Sequence, residues 1–233
     1  MPAKAEHTPS TQERSARAAP HASADYAILL AAITATFAIE GIAEPGRWEL
    51  TFLTGLLGAT LLLSLTIAQA RRPIVRFAWA LTIGAVSLDV ILALAGHTDE
   101  RTSRLLGALL VALAPPAIIV GVIRRLRATQ TVTVDAVIGV LCVYLLLGMF
   151  YSFVYGVVDR FGGDPFFAGG TAASVAHCMY FSFTTLSTVG YGDLTARTNL
   201  GHTLSVSEAL LGQVYLVTVV SLIIANLGRR REA

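Results

Sequence analysis

Six stretches of the chain, approximately residues 26–44, 49–69, 74–96, 104–123, 134–158 and 200–227, are predominantly apolar. Each is about 20 residues or longer, enough for a helix to cross roughly 30 Å of hydrocarbon. The composition agrees: 55% of residues are hydrophobic and only 14% charged, whereas a soluble domain carries about 25% charged residues. The expected fold class is therefore an all-α membrane protein with six transmembrane helices. A seventh apolar stretch, 171–187, is shorter and rich in hydroxyls and aromatics. It suits a segment that re-enters the membrane rather than one that crosses it. A net charge of +2 gives no electrostatic footprint for nucleic acid. Cys142 and Cys178 lie in apolar surroundings and read as small packing residues.

The basic residues set the orientation. With the N-terminus in the cytoplasm, twelve of the 17 Lys and Arg residues fall inside: Lys4, Arg14, Arg17, Arg71, Arg72, Arg76, Arg124, Arg125, Arg127, Arg229, Arg230 and Arg231. Arg47, Arg101, Arg104, Arg160 and Arg197 fall outside. That bias is the positive-inside pattern. It predicts a multi-pass protein of the plasma membrane with both ends cytoplasmic. Residues 1–25 hold no apolar run and are expected to form a disordered cytoplasmic tail. The basic and polar stretch 124–131 divides a unit at 26–131 from one at 132–233.

The most informative residues are Thr188-Val189-Gly190-Tyr191-Gly192-Asp193. Glycine adopts backbone angles that other residues avoid, so alternating glycines allow successive carbonyls to turn toward one axis. Non-helical backbone at membrane depth is tolerated only inside protein or beside water. Four copies around a symmetry axis would stack rings of carbonyl oxygen that replace the hydration shell of a monovalent cation. Thr188 can add a ring of hydroxyls.

This six-residue run, placed between a short apolar segment and a final span, resembles the selectivity filter of prokaryotic six-transmembrane tetrameric potassium channels. The resemblance covers about 133–228. It implies an outer helix at 134–158, a pore helix at 171–187, a filter at 188–193 and an inner helix at 200–227. K+ would bind at Thr188, Val189, Gly190 and Tyr191, with Gly192 completing the filter. Tyr180 and Phe181 would supply the aromatic cuff, where relatives often have two tryptophans. Some relatives place a carboxylate four residues before the first filter residue; here that position is Thr184. Asp193 thus lacks an acidic partner, and the Tyr180 hydroxyl is a candidate substitute. Tyr180, Thr184 and Asp193 are the expected filter supports. Relatives often carry a gating hinge where Gly212 stands; close helix packing is the equally weighted alternative. Leu216, Val220 and Ile224, spaced by four, are expected to line the cavity or gate. The implied protein is a homotetramer in contact with membrane lipids. It is no enzyme, passes K+ as its permeant ion and needs no organic cofactor. Only six residues follow Leu227, so no C-terminal regulatory domain is expected, and nucleic acid is no partner. A subunit of a potassium uptake transporter is the alternative; such proteins usually hold four degenerate filters in one chain, and this chain has one complete filter. No metal-ligand spacing, nucleophile elbow or phosphate loop supports an enzyme, and His7, His21, His97, His177 and His202 are scattered.

The first four spans stand where a voltage-sensing bundle stands in six-span relatives, but the fourth has no charge from Leu105 to Ile123 and contains Pro115-Pro116. Proline inside a helix is expected to kink it. Glu40 and Asp89 lie within spans one and three. Intramembrane carboxylates are functional candidates, and a structural cluster reached by Arg104 is the other reading. The gating stimulus is left open among pH, lipid, tension, voltage and none. Moving one charge through the membrane changes the energy by about 2.3 kcal/mol per 100 mV, and the fourth span offers none to move. Conductance in symmetric potassium is therefore expected to depend weakly on voltage. A steep sigmoid displaced by neutralising Arg124 or Arg125 would overturn this.

Overall fold

The computed structural model describes residues 11–42, 47–67, 70–95, 100–129 and 134–229. Seven α-helices account for most of them: α1 (Thr11–Ile42), α2 (Arg47–Ile67), α3 (Arg72–Leu94), α4 (Glu100–Thr129), α5 (Val134–Phe161), α6 (Val175–Leu186) and α7 (Asn199–Arg229). Among the described residues there is no strand, only an isolated antiparallel bridge between Phe167 and Ala196. Two helical stretches, Arg72–Leu94 and Val137–Phe161, are by length and composition apolar enough to cross a membrane. Shorter apolar stretches lie at Tyr26–Gly41, Thr51–Ile67 and Leu105–Val120.

The helices follow the apolar blocks, with two departures. α1 starts at Thr11, so the expected disordered tail is helical from that residue; residues 1–10 lie outside the described part. The reason is local: the segment is rich in alanine, the strongest helix former, and Glu13 precedes Arg17 by four residues, a helix-supporting spacing. α4 extends past the 104–123 block at both ends, to Glu100 and Thr129, and includes Pro115 and Pro116.

α1, α2, α4 and α5 share one core. Leu29 and Ile33 of α1, Leu57 and Leu61 of α2, Leu110 and Ile118 of α4 and Leu146 and Met149 of α5 are all buried in it. α5 thus joins the four-helix unit to the C-terminal unit, packing on α4 and α1 and also on α6 and α7, while α1 touches α6 as well. α3 is peripheral. It rests mainly on α2 and turns Phe77, Trp79, Ile83, Ile91 and Leu94 outward. Such an apolar face is stable only if something other than water covers it.

Inside this unit Asp89 is buried and accepts a hydrogen bond of 2.5 Å from the Thr54 hydroxyl. Glu40 is buried too, and its Oε1 has no hydrogen-bond partner. The Arg104 side chain, expected to reach both, lies outside the described residues. One intramolecular hydrogen bond contributes about 0.5–1.5 kcal/mol net. Thr54→Val, which keeps the shape and removes the hydroxyl, should destabilise the purified protein by that amount. A denaturation midpoint unchanged from the parent would show that the bond carries no stability.

Candidate functional site

α6 is 12 residues long, about 18 Å at 1.5 Å per residue, which is roughly half the hydrocarbon thickness. It begins later than the 171–187 segment anticipated, because Ser174 caps it: the Ser174 hydroxyl accepts from His177 N–H at 3.1 Å. Ser187 and Thr188 close the last turn, donating to the Phe183 and Thr185 carbonyls. The chain then doubles back. The Thr184 carbonyl accepts from both Val189 N–H, at 2.9 Å, and Gly190 N–H, at 3.1 Å. Thr184 supports this loop through its backbone; its hydroxyl turns back to the Phe181 carbonyl at 3.0 Å.

Residues 188–192 alternate in hand. Thr188, Gly190 and Gly192 have positive φ, at 58°, 53° and 79°, while Val189 and Tyr191 do not. Alternating left- and right-handed residues aim successive peptide groups the same way. Glycine accepts this freely, but a β-branched threonine at φ 58° is strained. Strain of this kind persists only where the surroundings hold it. Here the Thr188–Thr185 and Val189–Thr184 bonds do so.

Tyr180 and Asp193 brace the far end of the loop. The Tyr180 hydroxyl donates to Asp193 Oδ2 at 2.9 Å, and its ring stacks on Tyr191, with centroids 6.2 Å apart and planes within 4°. Phe181, expected in the same cuff, packs elsewhere: its ring meets Tyr155, Phe166 and Phe167. Adjacent helical residues point about 100° apart, so two neighbours cannot both face one strand. The loops around the site are fastened as well. Asp159 accepts from Phe166 N–H at 2.9 Å, Asp164 lies 3.8 Å from Arg197, and the Phe167–Ala196 bridge joins the segment before α6 to the one after the 188–193 loop.

The outward flank of the loop is bare. Val189 is 53% exposed and Tyr191 71%, and an open cleft runs between them and Phe37 and Gly41 of α1.

α7 packs beside α6. A Cβ placed on Gly212 would sit 2.6 Å from the Leu186 carbonyl oxygen, so the contact leaves no room for a side chain. Leu216 of α7 is exposed. Val220 and Ile224 belong to α7 by backbone, and their side chains lie outside the described residues.

One group escaped the sequence reading. Glu208 of α7 is fully buried. Its carboxyl meets the hydroxyls of Tyr155 on α5 and Ser182 on α6. The rule that singled out Glu40 and Asp89, a carboxylate inside an apolar span, applies equally here. Tyr151 and Ser207 add a second tie between α5 and α7 at 3.1 Å, and the Tyr215 hydroxyl donates to the Val140 carbonyl at 2.6 Å.

Residues 139–229 match a family model described as ion channel. The match begins within α5, takes in α6 and the 188–193 loop, and ends with α7. No solved structure matches the chain. The apolar helices and the family match point to a membrane protein, and the match supports an ion channel.

The α6–α7 contact has a measurable consequence. Overpacking a tight contact costs about 1–3 kcal/mol, so Gly212→Ala should lower the thermal stability of the purified protein by that amount. An unchanged melting temperature would show that the helices separate freely at this point.

Proposed function

We propose that the protein is a potassium-selective channel that passes K+ down its gradient through a pore on the axis of a homotetramer. The alternating backbone at Thr188, Gly190 and Gly192 carries this reading. Peptides turned the same way supply the carbonyl ladder that a dehydrated cation needs. The Thr188, Val189, Gly190 and Tyr191 carbonyls coordinate K+ as the permeating ion, and Gly192 and Asp193 finish the outer end.

The tetramer follows from geometry. One strand cannot surround an ion, whereas cyclic symmetry closes a ring. The exposure of Val189 and Tyr191 in a single chain supports a neighbouring chain at that flank. α6 ends at the filter, and the negative end of a helix dipole favours a cation. α7 lines the inner pore with Leu216, Val220 and Ile224, and Gly212 serves as the hinge where α7 bends. The remaining helices cross a plasma membrane with both ends in the cytoplasm, and lipid covers the outward face of α3. The four-helix unit carries no charge ladder and leaves conduction only weakly voltage-dependent. The ion-channel match does not favour the transporter alternative.

Reconstitution into liposomes or planar bilayers tests the reading. Reversal potentials should show K+ permeating far better than Na+, and Gly190→Val should abolish selectivity or conduction, since the position needs φ near 53°. Mass measurement in nanodiscs should give four chains. Equal permeability to both ions in the unmodified protein, or full activity from a monomer or dimer, would refute the assignment.

A further inference from the structure

Glu208 sits in the third turn of α7 with no exposed surface, and its burial is complete within one chain. Its Oε2 accepts the Tyr155 hydroxyl, and its Oε1 meets Ser182 Oγ. Both partners are hydroxyls, and among the described residues no cationic side chain is in contact with the carboxyl. Other titratable groups on the three helices have contacts elsewhere, Asp159 with the Phe166 N–H and Tyr180 with Asp193. Tyr151 pairs with Ser207, and Tyr215 with the Val140 carbonyl. Tyr144 stacks on Tyr215. Cys178 lies in the aromatic cluster that holds Tyr155. The His177 and His202 rings sit at the Ala172 and Ala196 carbonyls. A buried carboxylate with no cation beside it is driven toward neutrality.

Counting protons leads to the same state. Ser182 carries one hydroxyl proton and faces two acceptors, the Gly148 carbonyl of α5 at 2.7 Å and Glu208 Oε1. The carbonyl can only accept. Every contact becomes a hydrogen bond at once only if Ser182 donates to Gly148 and Glu208 itself donates to Ser182. An ionised Glu208 would draw the Ser182 proton to itself and leave the Gly148 contact without one.

We propose that Glu208 is a neutral carboxylic acid that positions the selectivity filter by fastening α7 to α6 and α5 behind it. The inference rests on the channel reading. Ser182 and Leu186 lie four residues apart on α6, and their partners Glu208 and Gly212 lie four apart on α7. Both helices therefore present one face to each other over a full turn. Thr184, whose carbonyl holds the Val189 and Gly190 amides, lies within that turn. Loosening the tie at Glu208 frees the segment from which the filter hangs.

The test combines infrared spectroscopy and ion flux on the full-length protein in lipid. The parent should show the carbonyl stretch of a protonated carboxylic acid that Glu208→Gln lacks, with the contributions of Glu40 and Asp89 common to both. Glutamine can donate to Ser182 and accept from Tyr155 as the neutral acid does, so Glu208→Gln should retain K+ over Na+ discrimination. Glu208→Leu should lower discrimination or steady conduction by roughly tenfold, the scale of one lost buried hydrogen bond. If Glu208→Leu does not fold, Ser182→Ala removes the shared hydroxyl and should produce the same loss. An infrared difference without the carboxylic acid band, or a Glu208→Gln channel as impaired as Glu208→Leu or Ser182→Ala, would overturn the proposal. A parent protein that shows the band but no K+ conduction would sink the channel reading and leave the protonated carboxyl standing.

Discussion

A helix of 12 residues is too short to hold its own place, so α6 takes its position from what grips it. The grip is polar on one side and steric on the other. Ser182 reaches the Gly148 carbonyl and Glu208, and one turn later the Leu186 carbonyl presses into the space that Gly212 leaves open. The strained Thr188 and the two left-handed glycines follow within six residues of that second contact. Strained backbone survives only where neighbours over-determine it, so the loop's geometry is inherited from the fit of α6 against α5 and α7.

How far this was legible in the sequence differs from feature to feature. The helices could be read because long apolar runs mark them, and α2 to α7 fall close to the expected blocks. The 188–193 loop was legible because glycine spacing reports directly on backbone hand. The Tyr180–Asp193 contact joins residues 13 apart across a short turn, close enough to guess. Glu208 was not found, since its partners are 26 and 53 residues away and no local pattern ties them. Phe181 was misplaced because the sequence does not say which of two adjacent aromatics faces the loop. The N-terminal extension of α1 was missed because the charge and polarity of residues 11–25 outweighed their alanine content.

The two halves of the chain spend their polar residues differently. In the N-terminal unit the buried hydroxyls of Thr36, Thr60 and Ser64 turn back on carbonyls of their own helix, Asp89 meets Thr54 across helices, and Glu40 is buried with one oxygen unpartnered. Apolar packing of α1, α2, α4 and α5 does the rest. In the C-terminal unit tyrosine and serine hydroxyls cross from helix to helix. Tyr151, Tyr155 and Tyr215 each bond α5 and α7 together. In hydrocarbon the attraction between apolar faces is weak, and directional bonds between helices become the means of fixing register.

The fastenings around the 188–193 loop all lie within one chain: the Ser174 cap, the Thr184 carbonyl, the Tyr180–Asp193 bond and the Phe167–Ala196 bridge. In the tetramer we propose, each subunit would therefore arrive at its neighbours as a finished quarter of a mould. Association then has little backbone left to order, and the entropy that flexible partners lose on docking has already been settled during folding of the single chain.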